Sequence, residues 1–105
     1  MAGGRNILTE TVKEVEQLLR EYRERTFSDK VLGETDEKIK LLDKCLNNLY
    51  PHERELLIQL CVENVSERTC AKLTGLTRYR VRKEKERLLA LTASVFQKIS
   101  SHADS

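Results

Sequence analysis

The sequence predicts an all-α fold, a small helical bundle, and three observations support this class. The chain has 105 residues with only one proline and four glycines, so few positions would interrupt a helix. Leu, Glu, Lys and Arg are abundant, and these residues favour helices over strands. No segment shows the strict alternation of polar and apolar residues that a half-buried strand requires. A chain of this length forms one domain with a modest core.

The first predicted helix spans residues 10–26. Thr11 followed by Glu14 matches the capping-box pattern at its start. Two pairs have the helix-stabilising spacing: Glu16 with Arg20, and Glu21 with Arg25. The apolar positions lie on one side of this helix and form the N-terminal stripe: Val12, Val15, Leu18, Leu19 and Tyr22. Residues 27–35 mix turn formers with a glycine and predict a connection. Residues 1–35 are therefore expected to form an N-terminal helical arm with its connection.

Two further helices are predicted before residue 64. The second begins at Asp36 and ends near Tyr50, and Pro51 suits the first turn of the third, which ends near Glu63. The apolar positions are Ile39, Leu42, Leu46 and Leu49 in the second helix, and Leu56, Leu57, Leu60 and Cys61 in the third.

The C-terminal part predicts two helices joined by a tight turn. Ser66 is a good N-cap for a helix over residues 67–74, Gly75 can adopt the positive φ that ends it, and Thr77 can cap the next helix. The first of these helices should turn inward Cys70, Ala71 and Leu73, and the second should continue through Val81, Leu88, Leu91, Val95 and Ile99. Residues 36–100 are expected to form one helical domain, followed by a disordered tail at residues 101–105.

Charge is distributed unevenly along the chain. Residues 1–65 hold 10 Lys or Arg and 13 Asp or Glu, whereas residues 66–91 hold 8 Lys or Arg and 3 Asp or Glu. Six basic residues fall within ten positions: Arg78, Arg80, Arg82, Lys83, Lys85 and Arg87. A basic helix interleaved with glutamate is often only a solvated surface, but it is also what a nucleic-acid-binding helix requires.

Nothing in the sequence indicates an enzyme or a metal site. Cys45, Cys61 and Cys70 lack the close spacing of a zinc motif, and His52 and His102 are poorly placed to complete one. We expect reduced core cysteines, with a reactive thiol as the alternative. No nucleophile–base grouping and no phosphate-binding glycine loop is recognisable, so no catalytic residue, metal ligand or cofactor is predicted. No signal peptide or membrane span is apparent, which predicts a cytoplasmic protein without a membrane partner.

Three residues between positions 71 and 81 match the spacing of a helix-turn-helix. That unit needs a small residue where the helices cross, a glycine at the turn, and an apolar residue on the inner side of the second helix. Ala71, Gly75 and Val81 occupy these positions. Together with the basic cluster, the match favours a DNA-binding helix over a merely solvated one.

The inward direction of Val81 assigns roles to its neighbours through the helical period. The first turns of the recognition helix should present four base-reading residues to the major groove: Arg78, Tyr79, Arg82 and Lys83. The residues expected to contact phosphates lie at the flanks and near the helix N-termini: Ser66, Lys72, Thr77, Arg80, Lys85 and Arg87. The predicted partner is double-stranded DNA.

The segment LTRYRVRKEKERLLAL resembles the recognition helix of region 4 in bacterial sigma factors. The resemblance begins near residue 42 and includes residues similar to the leucine–proline–x–x–arginine helix of that family: Leu46, Leu49, Pro51, Glu53, Arg54 and Leu57. Within the same superfamily, the whole chain is similar to small phage transcriptional regulators of the ArpU and RinA type. Those proteins combine an N-terminal helical arm with a region 4-like end, which implies the same architecture here.

By this resemblance, Arg78 and Arg82 match sigma-factor arginines that contact DNA. Tyr79 and Lys83 stand where housekeeping sigma factors commonly have glutamate and glutamine, which implies a different target sequence. Two further positions at which many relatives have apolar residues are polar here: Thr74 and Glu84.

The predicted function is a sequence-specific transcriptional regulator of phage or mobile-element origin. The chain is too short for a complete sigma factor. Two alternatives stay open: a DNA-packaging adaptor of the small-terminase type, and a module that binds RNA polymerase through the basic helix.

The N-terminal stripe has two interpretations. Packing against its own domain is the commoner arrangement for an amphipathic helix. The alternative is a homodimer through the N-terminal helix, which Val95, Phe96 and Ile99 of the C-terminal helix could join. A two-fold dimer would predict a palindromic operator.

Overall fold

The computed structural model describes residues 7–103, and this part of the chain folds into six α-helices. Their order is α1 (Ile7–Arg20), α2 (Tyr22–Val31), α3 (Glu37–Leu46), α4 (Pro51–Cys61), α5 (Glu67–Thr74) and α6 (Arg78–Ala103). No strand occurs between residues 7 and 103. The predicted class, an all-α small helical bundle, is confirmed.

The core is a single cluster to which every helix except α2 contributes buried side chains. The long α6 packs against α1, α3, α4 and α5, and its contact with α1 is the most extensive between any two helices in the described part. In the N-terminal stripe, Val15, Leu18 and Leu19 are buried, while Val12 and Tyr22 pack against the cluster. The stripe therefore packs against its own chain.

The first helix starts earlier than the sequence pattern predicted. α1 begins at Ile7, so Thr11 lies within the helix and the capping box predicted there is wrong. The predicted pair of Glu21 and Arg25 does form, with 3.1 Å between Oε1 and Nη1. The other predicted pair, Glu16 and Arg20, has the same spacing but forms no salt bridge in the described part of the chain, so that prediction is wrong.

The second helix occupies part of the predicted connection. α2 continues to Val31, since residues 27–31 contain neither glycine nor proline, and the connection shortens to residues 32–36. α2 buries no residue. Arg25 joins it to α3, because its Nε and Nη2 donate to Asp36 Oδ2 at 2.7 Å and to Oδ1 at 2.9 Å.

Local side chains determine where α3 and α4 begin. Asp36 Oδ1 accepts a hydrogen bond from the backbone N–H of Ile39 at 3.1 Å. Pro51 is the first residue of α4, and Glu53 Oε1 accepts from the backbone N–H of Tyr50 at 3.1 Å. Both helices begin where the sequence predicted, and each ends a few residues earlier than expected.

The last helix, α6, extends from Arg78 to Ala103 and is about 39 Å long. It continues into the segment predicted as a disordered tail, of which residues 104–105 lie outside the described part of the chain. A membrane-spanning helix needs a long apolar stretch, and no helix between residues 7 and 103 contains one.

The buried side of α6 differs from the predicted apolar series at two leucines. Val81, Leu88 and Phe96 belong to the core. Leu89 is buried as well, whereas Leu91 is 42% exposed. Val81 and Leu88 form a row along the buried side of α6, and the two leucines lie on opposite sides of this row. Leu89 lies on the side against which α1 packs, and Leu91 lies on the side away from α1.

Candidate nucleic-acid interface

The turn between α5 and α6 is held by local hydrogen bonds. Gly75 has a φ of +77°, and its backbone N–H donates to the Ala71 carbonyl oxygen at 2.9 Å. Thr77 Oγ1 accepts from the backbone N–H of Arg80 at 3.1 Å. The left-handed glycine that ends α5 and the hydroxyl that caps α6 are therefore both present as predicted.

Polar side chains form hydrogen bonds with the backbone at both ends of α5. Ser66 Oγ accepts from the backbone N–H of Thr69 at 3.1 Å, which confirms the predicted N-cap. At the other end, Thr74 Oγ1 donates to the Cys70 carbonyl oxygen at 2.7 Å and accepts from the backbone N–H of Leu76 at 3.3 Å. The polar residue at position 74 thus stabilises the turn.

The inner side of α5 is narrower than predicted. Cys70 is fully buried and Ala71 is partly buried, but Leu73, also predicted to face inward, is 66% exposed. At 100° per residue, Leu73 lies about 60° from Cys70 on the side away from Ala71. The inward prediction for Leu73 is therefore wrong.

Val81 has no exposed surface and belongs to the core cluster. Its neighbours along the first turns of α6 are all exposed, and we call them the α6 basic face: Arg78, Tyr79, Arg80, Arg82 and Lys83. The inward orientation predicted for Val81 is confirmed. All four predicted base-reading residues lie on this face, together with one predicted phosphate contact.

Tyr79 and Lys83 lie one helical turn apart on the α6 basic face. Tyr79 is 69% exposed, and Lys83 Nζ lies 5.5 Å from the centre of its ring, within cation–π range. Lys83 Nζ is also 3.6 Å from Glu86 Oε2, and both of these side chains are more than half exposed. Neither contact encloses the ammonium group, so both Tyr79 and Lys83 stay accessible to a ligand.

The arginines of the α6 basic face differ in their partners. Within residues 7–103, Arg78 and Arg80 form no salt bridge. Arg82 Nη2 donates to Glu67 Oε1 at 3.2 Å, although the Arg82 side chain is 60% exposed. This hydrogen bond, together with the positive charges of Arg82, Lys85 and Arg78, holds the pKa of the Glu67 carboxyl below its usual range. The face therefore stays positively charged and open to solvent.

Three predicted phosphate contacts lie near the helix N-termini or on α5, and all three are exposed: Ser66, Lys72 and Thr77. The hydroxyl oxygens of Ser66 and Thr77 already accept backbone hydrogen bonds as N-caps. Ser66 Oγ also donates to Thr69 Oγ1 at 2.9 Å. A phosphate contact at these two residues would therefore come from the backbone N–H groups of the helix ends more readily than from the hydroxyls.

Lys85 does not belong to the α6 basic face. It is partly buried and lines a cleft with Glu16 of α1 and Leu60 of α4. Lys85 follows Val81 by four positions, so the same period that buries the valine turns Lys85 toward the bundle. Its predicted contact with phosphate is not supported by this position.

Arg87 links α6 to α4. Its Nη2 donates to Glu53 Oε2 at 2.6 Å and to Glu84 Oε1 at 3.0 Å. The two carboxylates raise the pKa of Arg87, and the guanidinium holds the pKa of Glu53 and of Glu84 below their usual range. The side chain is still 49% exposed, so its predicted phosphate contact stays a prediction.

Two residues of α5 were not singled out from the sequence. Arg68 is exposed, and within residues 7–103 it forms no salt bridge, so it adds positive charge to this end of the molecule. Glu67 contacts Arg82 across fifteen positions. Arg68 is one of the basic residues counted in the segment 66–91. No spacing in the sequence predicts that Glu67 contacts Arg82.

Comparison of the chain with protein-family models, with curated proteins and with solved structures finds no match in any of the three. The similarity to sigma-factor region 4 therefore stays a prediction that depends on the residues quoted for it. What can be inferred of function comes from the geometry of α5 and α6.

Proposed function

We propose that the protein is a sequence-specific, double-stranded-DNA-binding transcriptional regulator of phage or mobile-element origin that acts in the cytoplasm. In this proposal α5 and α6 form a helix-turn-helix like that of sigma-factor region 4. α6 is the recognition helix, and its first turns enter the major groove.

The observation that supports this proposal most strongly is the burial of Val81 beneath an exposed, basic helix surface. A recognition helix needs an apolar residue that fixes it to the domain and polar residues that leave the domain surface. Val81 has no exposed surface, while Tyr79 and the side chains of Lys83 and Arg82 are more than half exposed. Concentrating like charges on one helix surface is unfavourable because they repel one another, and an anionic ligand would offset this repulsion.

The proposed roles follow from position on the helix. Arg82 can donate two parallel hydrogen bonds to guanine O6 and N7, and Lys83 can donate to the same atoms less rigidly. Tyr79 offers an aromatic ring for a thymine methyl group and a hydroxyl for phosphate. Arg78 completes the base-reading set at the helix start, and Arg80 contacts the phosphate backbone.

A homodimer and RNA polymerase are further proposed partners. Most of the N-terminal stripe is buried within the chain, so a dimer would form through other surfaces. Phe96 of α6 is also buried within the chain, at 3% exposed, so a dimer would not form through this residue either. Contact with polymerase would use the exposed basic face and would compete with DNA.

Selection of bound duplexes from a random oligonucleotide pool tests the proposal. A consensus should emerge, and the consensus duplex should bind at least about a thousandfold more tightly than random duplex at physiological salt. Arg82→Ala should weaken binding to the consensus roughly tenfold, because one base contact is lost. Arg23→Ala is the matched control: Arg23 is an exposed arginine on α2, and its removal should leave the selectivity unchanged.

Two outcomes would favour the other functions. Light scattering that shows a large closed ring would favour a DNA-packaging adaptor. Capture of RNA polymerase by a protein that selects no duplex would favour a polymerase-binding module.

A further inference from the structure

We propose that Glu67 is a positioning residue for Arg82 and thereby determines how selectively the protein discriminates among DNA sequences. The inference rests on the proposed function, since it assigns a role within the same surface. Glu67 itself would contact no base.

The geometry places Glu67 directly behind the base-reading arginine. Glu67 is the first residue of α5, immediately after the Ser66 cap, and its carboxylate reaches α6 at the second turn. The hydrogen bond from Arg82 Nη2 to Glu67 Oε1 joins the two helices at 3.2 Å. The Glu67 side chain is only 24% exposed, whereas that of Arg82 is 60% exposed, so the carboxylate is packed more closely against the protein than the arginine.

The contact leaves most of the guanidinium available. An arginine side chain has five N–H donors in a planar fork, and the bond to Glu67 uses one nitrogen. The side chain of Arg82 is 60% exposed, so the remaining donors can form the paired bonds that guanine accepts. A held arginine loses less conformational entropy when it binds than one that moves freely.

The negative charge of Glu67 also acts against non-specific binding. Its pKa is held low by the hydrogen bond from Arg82, so the group is ionised at neutral pH. A carboxylate beside Arg82 offsets the attraction of this arginine for phosphate, which is the same on every sequence. Arg80, the proposed phosphate contact, forms no salt bridge within residues 7–103 and is suited to sequence-independent attraction.

We expect this contact to contribute little to the stability of the fold. Its arginine is 60% exposed, and an ion pair with an exposed member is screened by water and restricts the freedom of both side chains. A role in stability would therefore be small, and the measurable consequence of Glu67 should be selectivity.

A double-mutant cycle on selectivity tests the inference. The proteins are the wild type, Glu67→Ala, Arg82→Ala and the double variant, and the quantity is the ratio of affinities for consensus and random duplex. Glu67→Ala should lower this ratio roughly tenfold, in part by strengthening binding to random duplex. In the Arg82→Ala background the same change should lower the ratio no further. Glu67→Gln should retain part of the ratio, because its amide oxygen still accepts the hydrogen bond.

Glu86→Ala is the matched control for charge. Glu86 lies on α6, as Arg82 does, and its charge acts on Arg82. Its ion pair is with Lys83, and it forms no hydrogen bond to Arg82. A loss of selectivity in Glu86→Ala equal to that in Glu67→Ala would reduce the effect to charge and overturn the positioning role. An equal loss from Glu67→Ala with and without Arg82 would overturn it too, as would wild-type selectivity in Glu67→Ala. If the wild type selects no sequence at all, the proposed function fails and this inference fails with it. If the wild type is selective but the effects of the two single substitutions simply add in the double variant, only this inference fails.

Discussion

Arg87 Nη2 lies 2.6 Å from Glu53 Oε2 and joins the middle of α6 to the first turn of α4. The Glu53 side chain is only 11% exposed, and its other oxygen accepts the backbone N–H of Tyr50. A carboxylate in this position depends on its cationic partner, because removal of one member leaves a poorly solvated charge. The basic segment of the sequence therefore has a structural role at Arg87.

Arg87→Ala should lower the free energy of unfolding by about 1 kcal/mol at neutral pH, a value kept small because the arginine is half exposed. A urea titration measures this. Arg80→Ala removes an arginine of the same helix that has no salt bridge in the described part, and should change stability by less than about 0.5 kcal/mol. Equal urea midpoints for wild type and Arg87→Ala would contradict the structural role. A salt dependence of DNA binding that loses about one unit of slope in Arg87→Ala would show an additional phosphate contact.

Acid should destabilise the protein through its paired carboxylates. Arg87 holds the pKa of Glu53 below its usual range, and Arg25 does the same for Asp36. The folded state then binds these protons less tightly than the unfolded state. The stabilisation is complete above the unfolded pKa values near 4 and is lost as the pH falls through the lower folded values. Urea midpoints should therefore fall from about pH 5 downwards, and less steeply in Arg87→Ala. Parallel curves for the two proteins would mean that this pair does not contribute.

Val81→Ala should destabilise the fold by about 2 kcal/mol, since it removes buried methyl groups and leaves a cavity beneath α6. Leu73→Ala deletes a larger side chain that is 66% exposed, and should cost less than about 0.5 kcal/mol. Chemical denaturation of both variants checks the contrast. The reverse order would place Leu73 rather than Val81 in the core.

Gly75→Ala should cost about 1–2 kcal/mol because the residue has a φ of +77°. A Cβ atom built at Gly75 meets no atom within 4 Å, so the cost comes from the backbone and not from a clash. Gly75→Asn should cost less, since asparagine tolerates the left-handed region better than alanine. Thermal unfolding of the two variants is the measurement, and equal losses would argue against a backbone origin.

The three thiols should react slowly in the folded protein. Burial raises the pKa of the Cys45 thiol to about 11, and burial raises the pKa of Cys61 and Cys70 in the same direction. Because the thiolate is the reactive species, a thiol reagent at neutral pH should modify the native protein far more slowly than the urea-unfolded chain. One rapidly modified thiol in the native protein would support the alternative of a reactive cysteine.

The sequence was sufficient to predict features that depend on residues close together in the chain. The caps at Ser66 and Thr77 and the turn at Gly75 each need contacts within about one helical turn, so their residue types are recognisable without coordinates. The inward direction of Val81 also follows from local spacing. The start of α1 and the extent of α2 were missed because neither has a strong boundary signal.

By itself, then, the sequence determined the helical class, the starts of the helices α3 to α6 and the concentration of basic residues on the first turns of α6. Only the tertiary structure decided that Leu73 faces outward and Leu89 inward, because helical periodicity gives the angle between two side chains but not the direction of the core. It alone paired Arg82 with Glu67 and Arg87 with Glu53, over fifteen and thirty-four positions. Such contacts depend on how the helices cross, and this is determined by the packing of the whole bundle.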